Sequence, residues 1–351
     1  MQYVERRKCR EMTASKISLF DCTLRDGANA LPNGFTPELT EIILNGLLDN
    51  GIKTIEIGGA LGLGGHSAAE TMLDIDYLRI AQPFADKGDI GVFMDVQNYT
   101  AERVKTAIEH GMSFIRIGAN AGEGYKCYEA IQAVKKTGLT CLFSLKKAYL
   151  LKPEELAKEA ACLETCGLDG VTIMDSAGTM LPMEAESYVR ALSGAVSIPV
   201  AFHGHNNLGL ATANALAAVK GGAATLDCDL LGLARSAGNI ATESVCGILQ
   251  RYGQLEEVNL VGLLTFMERE LIPRLKQQGL SVAIQPVDTM LGLSGCHSHF
   301  LSAFQEIAAL YKVSVYTLIE QVSKIDRRAP SRELIETEAI NLSNSDSVQV
   351  K

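Results

Sequence analysis

The chain has 351 residues, a formal net charge of −9, 47% hydrophobic and 21% charged residues, and no tryptophan. That apolar content excludes a disordered chain, and an acidic balance without a Lys/Arg stripe argues against nucleic-acid binding. No apolar run approaches the ~20 residues of a membrane span, and the basic start (Arg6, Arg7, Lys8, Arg10) is not followed by the apolar stretch of a secretory signal, so a cytoplasmic enzyme is expected.

Residues 1–15 read as an N-terminal extension. The first strand is expected at Ile17–Cys22. A helix follows Thr36-Pro37, a cap and a first-turn proline, with Leu39, Ile42, Ile43 and Leu47 on one stripe. A glycine followed by an apolar–polar–apolar strand then recurs, at Gly51–Ile57, Gly111–Ile117, Gly167–Ile173 and Gly222–Cys228, with the glycines 60, 56 and 55 residues apart. Each glycine follows a helical pattern, as a left-handed residue closing a helix does. Further strands are expected between these, at Asp89–Met94, Leu139–Leu145 and Ile198–His203. Eight strand–helix units about 30 residues apart predict an α/β fold, a (β/α)8 TIM barrel over 16–253. The glycine-rich run Gly58–Gly65 follows the second strand and lacks the spacing of a dinucleotide loop. From 254 to 340 helical runs (Leu260–Gln278, His299–Lys312, Ser314–Ile325) without strands predict a small C-terminal domain, and the Ser/Asn/Asp-rich 341–351 a flexible tail. Nine cysteines, an odd number with no C-x-x-C pair, are expected to be reduced.

In such a barrel, chemistry collects at the C-terminal ends of the strands. Those positions hold Arg25-Asp26, Glu56, Asp95, Asp175-Ser176, His203-Gly204-His205 and Arg235–Asn239. In an extended segment His203 and His205 point to the same side, so both imidazoles reach one ion. Asp26 from the neighbouring first strand would leave open positions suited to Mn²⁺, Mg²⁺ or Co²⁺. Two histidines that merely hydrogen-bond loop backbone are the alternative. Arg25 either holds a carboxylate or developing oxyanion, or pairs with a nearby strand-end acid.

Three motifs in order carry a resemblance: Thr-Leu-Arg-Asp-Gly from Thr23, His-Gly-His-Asn-Asn from His203, and Ser-Ala-Gly-Asn-x-x-Thr-Glu from Ser236. The chain resembles the DRE-TIM metallolyases. With Val171–Gly178, Asp288–Gly295 and Phe300-Leu301, it looks most like their pyruvate-specific class II branch, that of 4-hydroxy-2-oxovalerate aldolase. The resemblance implies Asp26, His203 and His205 as metal ligands, with Asn239 an additional or supporting one. It implies Arg25 at a metal-bound pyruvate enolate and Ser176 at the substrate carboxylate. The implied reaction is aldol cleavage or formation of a 4-hydroxy-2-oxo acid from a small 2-oxo acid and an aldehyde, with Mn²⁺ the expected ion. The branch carries an acid/base histidine where this chain has Asn29. Asparagine cannot exchange a proton near neutral pH, so Asn29 is expected only to contact substrate. His297, or else His299 or His66, is the expected replacement, whereas His110 before Gly111 reads as a helix-end partner. Claisen condensation of a 2-oxo acid with an acyl-CoA, or a catalytically altered metal-binding subunit, are the other readings. The branch also implies a homo-oligomer and association with an acylating aldehyde dehydrogenase.

Overall fold

Strand formation follows the alternation of the sequence. In the computed structural model, which describes residues 16–65, 72–280 and 286–348, the strands are β1 Ser18–Asp21, β2 Thr54–Ile57, β3 Asp89–Asp95 and β4 Phe114–Asn120. They continue with β5 Thr140–Lys146, β6 Gly170–Asp175, β7 Val200–Gly204 and β8 Thr225–Cys228. Each pairs in parallel with its chain neighbour, and β1 closes on β8 with Phe20 opposite Asp227. This is the expected (β/α)8 barrel. Along β4, Ile115 and Ile117 are buried in the main core between strands and helices. Phe114 packs instead with Phe20 and Cys22 inside the barrel, and Arg116 shares that inward face. The polar residue of the repeated strand pattern therefore points into the cylinder.

Helices cover the outer face. In α1 (Pro37–Asp49) the Thr36 hydroxyl accepts the Leu39 N–H at 3.2 Å, and Leu39, Ile43, Leu44 and Leu47 are buried. Each such side chain contributes roughly 1.5–3 kcal/mol of hydrophobic stabilisation. The next seven are α2 Asp74–Ala81, α3 Ala101–Glu109, α4 Tyr128–Lys136, α5 Pro153–Glu164, α6 Pro182–Ser193, α7 Ala211–Gly221 and α8 Thr242–Gln250. The repeat glycines Gly51, Gly111, Gly167 and Gly222 all have positive φ, between 78° and 110°, which lets the chain reverse from helix into strand.

Two expected boundaries move. α9 (Leu260–Phe266), a π-helical turn (Met267–Leu271) and α10 (Ile272–Gln277) follow one another directly. Their Leu263, Met267, Leu271 and Leu275 are buried in the barrel's core, not in the C-terminal one. The separate core belongs to α11 (Pro286–Ser294), α12 (Leu301–Tyr311), α13 (Val315–Ile325) and α14 (Arg332–Val348), around Leu291, Phe304, Ile319, Val322 and Ile335. The tail expected from residue 341 is helical as far as Val348. Leu334, Ile335, Ala339 and Leu342 extend the apolar stripe of α14, and helix propagation carries the polar residues after it. The C-terminal helices are tied to the strand-end rim of the barrel: Lys147 Nζ donates to Arg328 O at 2.7 Å and Arg328 Nη2 to Ala121 O at 3.1 Å. The expected extension 1–15 lies outside the described residues. Among those described, no helix is long and apolar enough to cross a membrane, and the cysteines are unpaired.

Candidate active site

The backbone brings Arg25 and Asp26 to the barrel mouth through a tight turn after β1, in which Cys22 O accepts the Arg25 and Asp26 N–H groups at 3.0 and 2.8 Å. At the end of β7, His203 Nε2 lies 3.5 Å and His205 Nε2 3.7 Å from the same oxygen, Asp26 Oδ2. Two donors each about 2.1 Å from a shared ion fall at such separations. His203 Nε2 is buried with no hydrogen-bond partner, and its Nδ1 meets Asp227 Oδ2 at 3.2 Å, the second contact that orients a ligating imidazole. The donor set fits a divalent cation, and the trio expected from the sequence converges. The loop after β6 packs against the His205 backbone at Gly178. At its φ of +59° a Cβ would stand 2.7 Å from His205 O and Asn207 N, so only glycine admits this approach.

Electrostatics keep the trio ready for a cation. Burial opposes ionisation of Asp26, but the Arg25 guanidinium beside it, with His203 and Arg235 nearby, holds its carboxyl well below the usual range. Burial pushes His205 down to about 3, leaving a neutral ring. At His203 burial is outweighed by the hydrogen bond to Asp227 and the nearby Asp26 carboxylate, which raise it.

A buried chain of charges supports these groups. Arg25 Nε donates to Glu56 Oε1 at 2.6 Å, and its Nη1 lies 3.0 Å from Asp26 Oδ1. Arg116 donates to both Glu56 oxygens, at 2.6 and 2.7 Å, and also to Asp227 Oδ2. Glu56 and Asp227 are thereby fixed between two cationic or imidazole partners each. Arg116 and Asp227 were not singled out from the sequence. Their only signal there was a charge at the inward position of an otherwise apolar strand. A second trio, Cys22, His203 and Asp227, also lies close together. It is no metal site, because Asp227 is paired with Arg116 and burial pushes the Cys22 thiol far up.

The other expected residues divide. Ser176 lines the mouth cavity of about 570 Å³, and its Oγ accepts the Lys147 N–H at 2.9 Å. His297 and His299 line the same cavity, His297 at the start of a short 3₁₀ turn (Ser298–Phe300). Asn29 is not among the lining residues. Its amide donates to Asp26 O at 3.0 Å, Asp26 Oδ1 at 3.2 Å and Ala60 O at 3.3 Å, which clamps it against Asp26. Asn239 donates its amide N–H groups to Asp26 Oδ2 (2.8 Å) and Asp229 Oδ2 (2.7 Å), and its Oδ1 is buried without a hydrogen-bond partner. His110 caps α3, its Nδ1 2.9 Å from Thr106 O. His66 lies outside the described residues.

Known proteins resemble this chain in sequence and in fold. A 4-hydroxy-2-oxovalerate aldolase of Carboxydothermus hydrogenoformans is 32% identical over 335 residues, covering 95% of this chain and 99% of its own. A 4-hydroxy-2-oxovalerate aldolase of Nocardia farcinica is 34% identical over 313 residues, covering 88% and 89%. Among solved structures, the HMG-CoA lyase of Bacillus subtilis superposes with a TM-score of 0.62 at 20% identity, covering 77% of this chain and 96% of its own. The carboxyl transferase domain of Rhizobium etli pyruvate carboxylase gives 0.74 at 16%, covering 95% and 61%, and these two likenesses show the fold. The HMGL-like family model matches residues 16–268, the whole barrel with its first added turns, and the chain belongs to the HMGL-like family, the DRE-TIM metallolyases.

Proposed function

We propose that the protein is a divalent-metal-dependent aldolase that cleaves or forms a 4-hydroxy-2-oxo acid. The observation that carries this reading is the convergence of Asp26, His203 and His205 beside Arg25 in a chain whose relatives bear the aldolase name. A divalent cation held by those three, Mn²⁺ rather than Mg²⁺ or Co²⁺, supplies a Lewis acid for the 2-oxo group.

The chain's own groups supply the rest. Arg25, held by Glu56, presents a fixed guanidinium to the oxygen on which negative charge develops in the pyruvate enolate. Ser176 offers its hydroxyl hydrogen to the substrate carboxylate, since its oxygen already accepts the Lys147 N–H. For cleavage, a base takes the 4-hydroxyl proton, the C3–C4 pair passes to C3, and aldehyde and pyruvate enolate result. His297 Nδ1 accepts the His299 N–H at 3.0 Å, so a neutral His297 carries its proton on Nε2 and serves as a donor to the C4 oxygen. Burial, with Arg235 and Lys147 nearby, lowers His299 and keeps its ring unprotonated, fit to take the proton. The expected role of His297 is thus divided between the two histidines. The C-terminal helices that carry them also offer a surface on which an acylating aldehyde dehydrogenase or a second copy of the chain would dock, and reduced cysteines accord with a cytoplasmic location.

The test incubates the protein with Mn²⁺, pyruvate and a series of aldehydes and follows condensation products by mass spectrometry, with and without chelator. Product that disappears on chelation supports the reading. Absence of product with every aldehyde refutes it.

A further inference from the structure

The mouth cavity holds more positive charge than the reaction at its centre uses. Among the described residues, four basic side chains line it, Arg25, Lys146, Lys147 and Arg235, against two carboxylates, Asp26 and Asp95. Arg25 is committed to Glu56 and Asp26, and Lys146 is paired with Asp95. Arg235 and Lys147 remain. The Arg235 Nε is buried with no hydrogen-bond partner, and its nearest carboxylate oxygen, Asp26 Oδ1, is 3.8 Å away and already shared with Arg25. Lys147 gives one hydrogen bond to a carbonyl, Arg328 O, and pairs with no acid among the described residues.

Both side chains are built into place. Lys147 has a left-handed backbone, φ +55°, held by the Ser176 hydroxyl on its N–H. Non-glycine residues in that region are uncommon and gather at functional sites. Arg235 sits in the loop after β8 between Leu231 and Ser236, both also at positive φ. His297 and His299 line the same cavity. Burial, and after it Arg235 and Lys147 nearby, push His297 well down. A cation bound at Asp26 would add to the excess, and a single 2-oxo acid carboxylate does not offset it.

We infer that Arg235 and Lys147 form a second anion site, so that the aldehyde partner carries its own anionic group and the 4-hydroxy-2-oxo acid is at least a dianion. This rests on the aldolase reading and narrows it. An ω-oxo carboxylate and a phosphorylated aldehyde share this chemistry. Neutral alkyl aldehydes, by contrast, leave both cations desolvated and unpaired, which disfavours them.

The experiment compares kcat/KM of the full chain, with Mn²⁺ and pyruvate, for 4-oxobutanoate against pentanal and for glyceraldehyde 3-phosphate against glyceraldehyde. A preference of about tenfold or more for one anionic member is expected, as loss of a desolvated charge partner gives. Whichever pair shows it distinguishes carboxylate from phosphate. Arg235→Gln and Lys147→Gln should each shrink that ratio about tenfold, and Arg235→Lys should retain part of it. Equal or greater efficiency with the neutral members, or ratios untouched by both variants, overturns the inference while leaving the aldolase reading intact. If no aldehyde condenses, the aldolase reading falls, and calorimetric titration with glutarate decides the anion site. Binding weakened about tenfold in Arg235→Gln supports the site, and binding equal to that of the unaltered chain overturns it.

Discussion

Replacing Arg116 by methionine removes the middle of the buried charge chain without a large change of volume. In the native barrel the guanidinium donates twice to Glu56 and once to Asp227, receives the Phe20 ring at 4.3 Å, and is fully buried. Arg116→Met leaves Glu56 with Arg25 alone and Asp227 with His203 alone, each still inside the cylinder. Breaking one buried pair while its partner stays charged typically costs about 3–5 kcal/mol. Two carboxylates are affected here, though each keeps one partner, so ~4 kcal/mol is the expected loss in urea unfolding. Burial is opposed at Asp227 mainly by Arg116, so the carboxyl should also rise and hold His203 less firmly. Cation affinity, read by equilibrium dialysis, should fall about 10–100-fold. The double variant Arg116→Met/Asp227→Asn, which removes one stranded charge, should regain part of the stability. Stability within ~1 kcal/mol of the unaltered chain together with unaltered cation affinity would refute the reasoning.

Asp26→Asn should abolish retention of Mn²⁺ through dialysis and lower turnover more than about a hundredfold, because it removes the only carboxylate of the trio. Retained metal would contradict the ligand set. Gly178→Ala places a Cβ against the His205 carbonyl and should cost about 1–3 kcal/mol and shift the His205 backbone, seen as weaker cation binding and a lower melting temperature. Asp21 supplies a pH signature. Burial, partly offset by the Thr23 bonds, raises its carboxyl to about 7 from 3.8. A raised folded value means that its favourable contribution is complete below pH ~4 and is lost as pH climbs to ~7, on the order of 4 kcal/mol. The stability of the unaltered chain relative to Asp21→Asn should therefore fall across that window, and a flat difference in urea midpoints would exclude it.

Much of this was local enough to read directly. The cap Thr36-Pro37, the four left-handed glycines and the strand alternation act over a few residues, so the barrel's units and their count follow from the chain alone. Asp26, His203 and His205 were legible for a related reason. They stand at strand ends, and a closed parallel barrel brings all strand ends to one rim whatever lies between them.

What the local pattern could not decide is set by partners distant in sequence. Arg116 meets Glu56 across 60 residues and Asp227 across 111, and only the inward face of the closed cylinder makes a strand arginine part of the site. Asn29 is turned to Asp26 and Ala60, the latter delivered by the loop after β2, contacts that its residue type alone could not fix. The helical periodicity of 260–277 says that an apolar face exists, but not which core receives it. The chain determined which segments are strands, helices and rim. The packing of those segments decided which charges meet, because a buried charge is stable only where another element delivers its partner.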